Sequence, residues 1–460
     1  MPSCQNQINT EHCLKSTLRN TLVSEVTKQK SKMIKLCGRI ALVRYVGPIC
    51  FIQLKDNTGQ MQLILNKENN KLTQFFDSKL RPGDIISASG QITFSKSGIL
   101  SLDITDCTIS SNCNSIIPKK VLNKNFKMTH RYLDLLINPD SMDRFTKCSL
   151  VVTTIRDFLN KNDFLEFDTQ LLKSKYDGGQ AKPFKTHHNA LDREFFLRIT
   201  SETRLKQLVI GGYEKVFEIG KSFRNEGIDA KHYPEFTMLE LYQAYSNCKD
   251  LMGLVKNMIN ETVRLANGTN KIEYQGNTIH FTPDWHEMST KEAILKYGHI
   301  DIEQIRESKK DLKNTAISLS MSPESTYGAI VDKLLEKKVE PNIINPTFIT
   351  KLPAGMTPFA KALDDDPLHT DRAWLYAGGL DLCDIYSSLT DVNKMMNNFI
   401  QQDKTLAAKN SYTHIRDDFI EALQYGAPPM ASLGMSVSRV QMLLTNSKDI
   451  QDVILFPHGW

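Results

Sequence analysis

The sequence lacks the features that define several specialised classes of protein. Its nine cysteines are scattered from Cys4 to Cys383, and no two have the CxxC spacing that zinc sites commonly use. No apolar run approaches the length of a membrane span, and the polar start, MPSCQNQINTEHCLKS, has no apolar signal-peptide core. We therefore expect neither a zinc site nor a disulfide framework, and we expect a cytoplasmic protein without a membrane segment.

The chain also lacks a strong charge of either sign. It carries 57 basic and 52 acidic residues, which give a formal net charge of +5. That mild excess permits nucleic-acid binding but does not argue for it, since a histone-like protein has a far stronger bias. Hydrophobic residues make up 40% and charged residues 24%, so a normal core can form. The length of 460 residues favours two or three domains.

The first part of the chain has the texture of a small β-barrel. Residues 1–30 are polar and mixed in charge, and we expect them to form a lead-in. Residues 31–118 then show short alternating segments, among them LCGRIALVRYV and DIISASGQITF, with turn signals such as Pro82-Gly83-Asp84 between them. Five such strands predict an OB-type barrel, a fold that often binds single-stranded nucleic acid.

Three side chains on the predicted strands are candidate nucleic-acid contacts. They are Arg39, Phe51 and Gln62, of which Phe51 could stack on a base and Gln62 could read one. The alternative is a β-domain with another role, because fold alone does not determine function. In that case Phe51 belongs to the core, which is the commoner place for a single Phe on a strand.

Residues 124–460 change to a mixture of strands and helices. The segment RFTKCSLVVTTIRDFLN at 144–160 has helical apolar spacing, whereas KVFEIGKSFRN resembles a strand. Strands with helices covering one side predict an antiparallel α+β domain. Residues 249–345 are more helical and polar, and they are interpreted as helical excursions from that domain.

Several candidate ligand-binding side chains lie in one stretch of this domain, VFEIGKSFRNEGIDAKHYPEFTMLELYQAY at 216–245. Arg224 and Glu226 have the spacing of neighbours on one strand face, so both side chains can enter one cavity. The guanidinium of Arg224 could bind a phosphate through two hydrogen bonds, and the carboxylate of Glu226 could accept a hydrogen bond from an amino group. His232 follows on a predicted loop and is available for a phosphate, and Phe236 could stack on a base. Arg439, at the start of a late helix, could cover the other face of that base. The alternative for Arg-x-Glu alone is an exposed hairpin with a surface salt bridge.

This stretch resembles motif 2 of the class II aminoacyl-tRNA synthetases, and specifically of the lysyl-tRNA synthetase family. Other strings resemble the same family across nearly the whole chain: RYLDLL at 131–136, AKPFKTHHNALD at 181–192, FRNEGID at 223–229 and MLLTNSKDIQDVILFP at 442–457. The resemblance implies an OB-type barrel followed by a class II catalytic domain built on an antiparallel sheet. It also implies that the protein activates an amino acid with ATP and transfers it to tRNA.

The resemblance assigns roles to the nucleotide-binding residues. It implies that Arg224 holds the α-phosphate of ATP and the amino-acid carboxylate. Glu226 would read adenine, with Phe236 stacked on it. His232 would meet the terminal phosphates, and Arg439 would clamp them. Arg224 and Arg439 are therefore the two predicted catalytic residues.

The resemblance also assigns the amino-acid site, the metal and the partners. It implies that Glu202 and Glu240 hold the α-ammonium of lysine or an analogue, and that Tyr242 and Tyr386 line the side-chain pocket. Mg²⁺ would bridge the phosphates with help from Asp381, which is one methylene shorter than the acid of the family. The expected partners are tRNA, bound through the barrel, and a second copy of the chain in a homodimer.

The sequence departs from the family pattern at five positions that bear on these roles. Ser388 stands where the family has the acid that meets the ε-ammonium of lysine, and Asp384 replaces an asparagine. Trp374 aligns with a second metal-holding acid, and Gln170 aligns with the motif 1 proline of the dimer interface. In the barrel, Ile99 aligns with an anticodon-reading glutamate.

Three functions remain open on these residues. The first is a working lysyl-tRNA synthetase in which Asp384, four positions before Ser388 on the same strand face, supplies the missing charge. The second is a repurposed relative that activates another amino acid for a different acceptor. The third is a non-catalytic protein that binds ATP or RNA. The retained set of motif 2 residues argues most strongly against the third.

Overall fold

The structure, a computed structural model, describes residues 18–26, 33–69, 72–77, 80–120, 123–176, 181–282, 284–407 and 417–458. The chain divides into two compact units, residues 1–122 and 123–460. Of the expected lead-in at 1–30, residues 1–17 and 27–30 lie outside the described residues. Within those described, no helix has the length and apolar character needed to cross a membrane.

The first unit is a closed five-stranded barrel, which confirms the predicted OB-type fold. Its strands are connected in the order β1-β2-β3-β5-β4. Alternate residues point inward, so that Cys50, Ile52 and Leu54 of one strand are buried while their neighbours face outward. The elements are β1 (Ile34–Val46), β2 (Ile49–Lys55), β3 (Gln60–Asn66), α1 (Thr73–Asp77), β4 (Ile85–Phe94) and β5 (Leu100–Ser111).

Gly90 marks the place where β4 crosses closest to β5, at a break in their register. A Cβ atom there would lie 2.0 Å from the carbonyl oxygen of Asp103. We expect Gly90→Ala to lower the opening free energy of this strand pair by about 1–3 kcal/mol, because a closely packed interior resists added volume. Amide hydrogen exchange in β4 and β5 measures this change. The exposed neighbour Gln91 provides the control, Gln91→Ala, and equal exchange in both variants would contradict the prediction.

The second unit is built on an eight-stranded sheet with the order β14-β15-β16-β17-β18-β11-β10-β6. Its pairings are antiparallel except at the two edges, where β6 and β14 run parallel to their neighbours. The predicted antiparallel α+β class is therefore confirmed. The sheet strands are β6 (Leu165–Glu166), β10 (Lys215–Phe223), β11 (Glu235–Ala244), β14 (His286–Ser289), β15 (Thr347–Thr350), β16 (Arg372–Ala377), β17 (Leu380–Ser387) and β18 (Met430–Ser436).

Two smaller sheets accompany the main one. A three-stranded sheet has the order β7-β9-β8, and a hairpin pairs β12 with β13. The hairpin falls inside 249–345, so that region is less purely helical than its composition indicates. The strands are β7 (Leu172–Lys173), β8 (Lys185–His188), β9 (Arg193–Leu197), β12 (Lys271–Tyr274) and β13 (Asn277–His280).

Helices α4 and α6 bury their apolar faces against one side of the main sheet. The spacing at 144–160 predicted the first of them, and a capping box of Asn247 and Asp250 begins the second. The other side of the sheet is thereby left for polar groups. The helices are α2 (Lys124–Thr129), α3 (Arg131–Ile137), α4 (Pro139–Lys161), α5 (Glu202–Ile210), α6 (Cys248–Asn267), α7 (Thr290–Gly298), α8 (Ile302–Glu307), α9 (Lys309–Ser318), α10 (Tyr327–Leu334), α11 (Val392–Ala407), α12 (Asp417–Gln424) and α13 (Val437–Leu444).

Candidate active site

The sheet face opposite α4 and α6 collects polar side chains in rows. Residues paired across neighbouring strands project to the same side, because side chains alternate along each strand. One row runs across five strands through Trp374, Asp384, Gly434, Glu240 and Glu218. The next row runs through Arg372, Tyr386, Ser432, Tyr242 and Val216. Several residues predicted from widely separated parts of the sequence are thus brought to one surface.

Arg224 lies just beyond the end of β10, with its guanidinium 5.1 Å from the ring centroid of Phe236. Its Nε atom is buried and has no hydrogen-bond partner among the described residues. Burial lowers the pKa of Arg224, although Glu226 and Glu240 act in the opposite direction. A half-buried cation with a buried, unused donor is suited to an anionic ligand such as a phosphate or carboxylate.

Glu226 is placed differently from the expectation that it shares a strand face with Arg224. The strand ends at Phe223, so both residues lie on the connection that follows. Glu226 is exposed, and its Oε1 accepts a long 3.4 Å hydrogen bond from the backbone of Lys182. No salt bridge joins Glu226 to Arg224 in the described part of the chain. The alternative of a surface ion pair is therefore not observed.

A second cationic group lies at the start of α13. The Nη2 atom of Arg439 is 3.1 Å from Nε2 of His232, whose Nδ1 is 2.8 Å from Asp229. An arginine only donates, so Nε2 accepts and the proton of a neutral imidazole is assigned to Nδ1. The Nη1 atom donates to the backbone oxygen of Asp381 and contacts its carboxylate. His232 and Arg439 thus lie together.

The residues around Asp381 do not form a dedicated magnesium site. The described residues contain no group of three or more His, Cys, Asp or Glu side chains that could hold a metal ion. The carboxylate of Asp381 contacts Arg439, and Trp374 offers no oxygen ligand. The indole ring of Trp374 lies instead against the guanidinium of Arg372, 5.0 Å away. A single carboxylate beside an arginine does not fit the oxygen-rich shell that Mg²⁺ prefers.

Glu202 begins α5 and is held from two sides. Its Oε1 accepts a hydrogen bond from the ammonium of Lys206 at 2.7 Å and another from the hydroxyl of Tyr386. Lys206 is fully buried, and its Nζ lies 4.5 Å from the ring centroid of Phe359. Both donors fall on the same carboxylate oxygen.

Glu240 projects from β11 into the same region and is also held from two sides. Thr200 donates to Oε1 at 2.6 Å, and Tyr242 donates to Oε2 at 2.8 Å. Burial, followed by the nearby charge of Glu202, raises the pKa of Glu240 to about 7. The two acids therefore lie near each other, Glu202 half-buried and Glu240 buried, which suits a positively charged ligand.

Asp384 does not supply the negative charge that is missing at Ser388, contrary to expectation. Arg372 binds both carboxylate oxygens of Asp384, at 2.8 and 2.6 Å, so this negative charge is already balanced. The hydroxyl of Ser388 forms a 2.5 Å hydrogen bond with that of Ser432. Ser432 lies opposite Tyr386, two positions from the Gly434 that pairs with Asp384, so the hydroxyl pair and the Asp384 carboxylate occupy different rows of the sheet. Asp384 is thus not a free acid in the structure.

The three barrel candidates share one outer face. Arg39, Phe51 and Gln62 lie on the outward sides of three adjacent strands, and all three are half-buried. Arg39 donates to the backbone of Gly83 at 2.7 Å, and Gln62 donates to Ser101 at 2.9 Å. Phe51 is therefore not a core residue. Beside this face is a shallow cleft of about 380 Å³ whose lining includes Gln53, Gln60, Gln62 and Ile99.

Comparisons with known proteins agree with both units. Residues 34–110 match the model of the OB-fold nucleic acid binding domain, and residues 123–459 match that of the class II tRNA synthetases (D, K and N). The chain belongs to the class II tRNA synthetase family. It is 37% identical to the Lysine--tRNA ligase of Pelotomaculum thermopropionicum, over 95% of this chain and 88% of that protein. It is 35% identical to the Lysine--tRNA ligase of Clostridium acetobutylicum, over 95% and 86%.

Sequence reasoning missed two cations in this synthetase domain. Lys206 lies one helical turn after Glu202, and that i,i+4 spacing was the available signal for their pairing. Arg372 lies opposite Tyr386 on the neighbouring strand, but the pairing of the two strands is not visible in the sequence. Both side chains are at least nine-tenths buried. They balance Glu202 and Asp384, respectively.

Proposed function

We propose that this protein activates lysine with ATP and transfers the aminoacyl group to tRNA. The observation that carries the proposal is the placement of two half-buried arginines near the half-buried Glu202 and the buried Glu240. Arg224 and Arg439 supply positive charge for phosphates, while Glu202 and Glu240 supply negative charge for an ammonium group. The lysine ligases among its relatives support lysine as the amino acid.

The nucleotide is proposed to bind between β10–β11 and the start of α13. Arg224, with its unpartnered buried Nε, would bind the α-phosphate. His232 and Arg439 would bind the terminal phosphates, and Phe236 would stack on adenine beneath the guanidinium of Arg439. Glu226, which is exposed, would reach the adenine amine. Mg²⁺ would be held by phosphate oxygens, because Asp381 is occupied by Arg439.

The amino acid is proposed to bind beside the acids. Its α-ammonium would contact Glu202 and Glu240, and its carboxylate would face Arg224. Its side chain would run between Tyr242 and Tyr386 toward Ser388. Asp384 would stay bound to its counter-ion, Arg372. This orientation places the carboxylate of the amino acid next to the α-phosphate.

The chain's residues would then promote an in-line attack of that carboxylate on the α-phosphate, with pyrophosphate as the leaving group. Positioning of the two reactants supplies much of the acceleration, since it replaces a bimolecular encounter. Arg224 would stabilise the charge that develops on the phosphorus centre. The reaction needs no covalent nucleophile from the protein.

Two partners are part of the proposal. Arg39, Phe51 and Gln62 would contact the unpaired anticodon bases of tRNA through the outer face of the barrel. A second copy of the chain would pair through β6 and β7, where Leu165 and Leu172 are about half exposed, at 51% and 47%. The cytoplasm is the proposed location. The relatives support neither the repurposed enzyme nor the non-catalytic binder.

The proposal is tested by aminoacylation of purified tRNA with labelled lysine. We expect ATP-dependent attachment of lysine to tRNA, and its loss when the tRNA lacks its 3′-terminal adenosine. Attachment of a different amino acid, or none, would overturn the assignment. An arginine control in the same reactions would show whether any attachment depends on the identity of the amino acid.

Lysine affinity is predicted to depend on pH through Glu240. Burial and Glu202 raise the pKa of Glu240 to about 7, against the lowering effects of Thr200, Tyr242 and Arg224. Only the ionised carboxylate attracts an α-ammonium, so binding should weaken as pH falls below 7, by about tenfold per pH unit. The pH profile of 1/KM for lysine measures this dependence.

The control for this dependence is Glu240→Gln, which cannot ionise at the same position. It should bind lysine weakly and show no break in its profile near pH 7. An unchanged break in this variant would assign the titration to another group.

A further inference from the structure

Lys206 is an unusual group for the interior of this domain. Its ammonium is enclosed by Tyr242, Phe359 and Tyr386, with distances of 4.5–5.7 Å from Nζ to the ring centroids. Its carboxylate partner is Glu202, at 2.7 Å. Burying an ammonium costs free energy unless the group is paired with an opposite charge and hydrogen-bonded. A methionine would fill similar space without that cost, so packing alone does not explain a lysine here.

We propose that Lys206 is a positioning residue for amino-acid activation. Together with the hydroxyl of Tyr386 it fixes Oε1 of Glu202, so that the other oxygen faces the incoming α-ammonium. Its positive charge also favours the ionised form of Glu240 in the same site. This inference rests on the proposed function, because it assigns the two acids to the α-ammonium.

The electrostatic part of the proposal follows from the groups that surround the acids. Glu202 raises the pKa of Glu240, and Arg224 lowers it. Both acids in turn act on Lys206, raising a pKa that burial lowers. The phenols of Tyr242 and Tyr386 are neutral, since burial raises their pKa values well above the ordinary range. Lys206 is therefore the cation in direct contact with Glu202.

The geometric part follows from the shared oxygen. Two donors on Oε1 hold the carboxylate in one rotamer against the base of α5. If Lys206 lost its charge, the carboxylate would keep a single donor, from Tyr386. The negative charge of Glu202 would then favour uptake of a proton by Glu240. Both consequences weaken binding of an ammonium and leave the phosphate-binding residues untouched.

The test is Lys206→Met, which preserves volume and removes the charge. Lysine binding is measured by calorimetry without ATP, and KM values for lysine and ATP are measured by pyrophosphate exchange. We expect lysine affinity at pH 7 to fall by about tenfold or more, and the break in its pH profile to move upward by about one unit. The KM for ATP should stay within about twofold. An unmoved pH break together with unchanged lysine affinity would overturn the proposal.

Two further variants separate positioning from damage to the fold. Tyr386→Phe removes the second donor to the same oxygen, so it should weaken lysine binding in the same direction but leave the pH break closer to its original position. Lys215→Met removes a half-buried lysine at the start of β10 that contacts Asp163 and the backbone of Asn162. It should change neither lysine affinity nor the pH break. Equal effects of Lys215→Met and Lys206→Met would contradict a specific role.

The calorimetric measurement keeps this inference distinct from the proposed function. A wild-type protein that binds lysine but does not exchange pyrophosphate would refute activation, while the Lys206 variant would still be judged on affinity and its pH break. A wild-type protein that binds no lysine would overturn both.

Discussion

Replacing Arg224 by alanine is expected to lower kcat/KM for lysine activation by about 1000-fold or more. The guanidinium lies over Phe236 and has a buried, unused donor at Nε. A charge-assisted contact of this kind on a reacting phosphate is worth about 3–4 kcal/mol, which corresponds to a factor of about 100 to 1000. Removing it also leaves Glu240 without the cation that lowers its pKa, which should add to the loss. Pyrophosphate exchange at saturating and limiting ATP measures the effect.

An exposed arginine provides the matched control for this variant. Arg264 lies in the last turn of α6, on the other side of the sheet, and Arg264→Ala should retain nearly full activity. Thermal unfolding of both variants distinguishes loss of chemistry from loss of fold. If Arg224→Ala retains more than about a tenth of the exchange rate, Arg224 does not hold the reacting phosphate.

Replacing Ser388 by glutamate is expected to strengthen lysine binding by about tenfold or more. The hydroxyl pair of Ser388 and Ser432 offers no charge to a terminal ammonium, and Asp384 is occupied by Arg372. Leaving a buried ammonium without a carboxylate costs about 3–5 kcal/mol, so restoring one should recover part of that free energy. The recovery should be partial, because the added atoms must be packed beside Ser432.

Ser388→Gln is the matched control, since it adds similar volume without charge. We expect lysine affinity to rank glutamate above glutamine at position 388, and norleucine to show no such preference. Calorimetry with both ligands measures this ranking. Equal lysine affinity in the two variants would contradict a lysine side chain that ends near Ser388.

The architecture was accessible from the sequence because its signals are local. Buried and exposed residues alternate along β2 and β3, and such alternation depends only on neighbours in the chain. The helix at 144–160 was predicted for the same reason and extends over Pro139–Lys161. The resemblance at 223–245 then connected these elements to a known catalytic face. Local pattern and motif together were enough for the fold class.

The ion pairs inside the site could not be predicted in the same way. Lys206 resembles a solvent-facing helix residue until Phe359, more than 150 positions later, packs over it. The pairing of Asp384 with Arg372 depends on the alignment of two strands. In the sequence Asp384 resembles a spare negative charge, because its counter-ion Arg372 lies twelve positions away on a neighbouring strand. Electrostatic roles in a buried site are set by contacts between distant segments, and these require the structure.

The central claim is that the cations and acids on this sheet face activate an amino acid with ATP. The measurement that tests it most directly is ATP–pyrophosphate exchange with the purified protein, across the standard amino acids together with ornithine and β-lysine. The account predicts exchange that depends on lysine and disappears in Arg224→Ala. Absence of exchange with every amino acid, in a folded protein that still binds ATP, would contradict it.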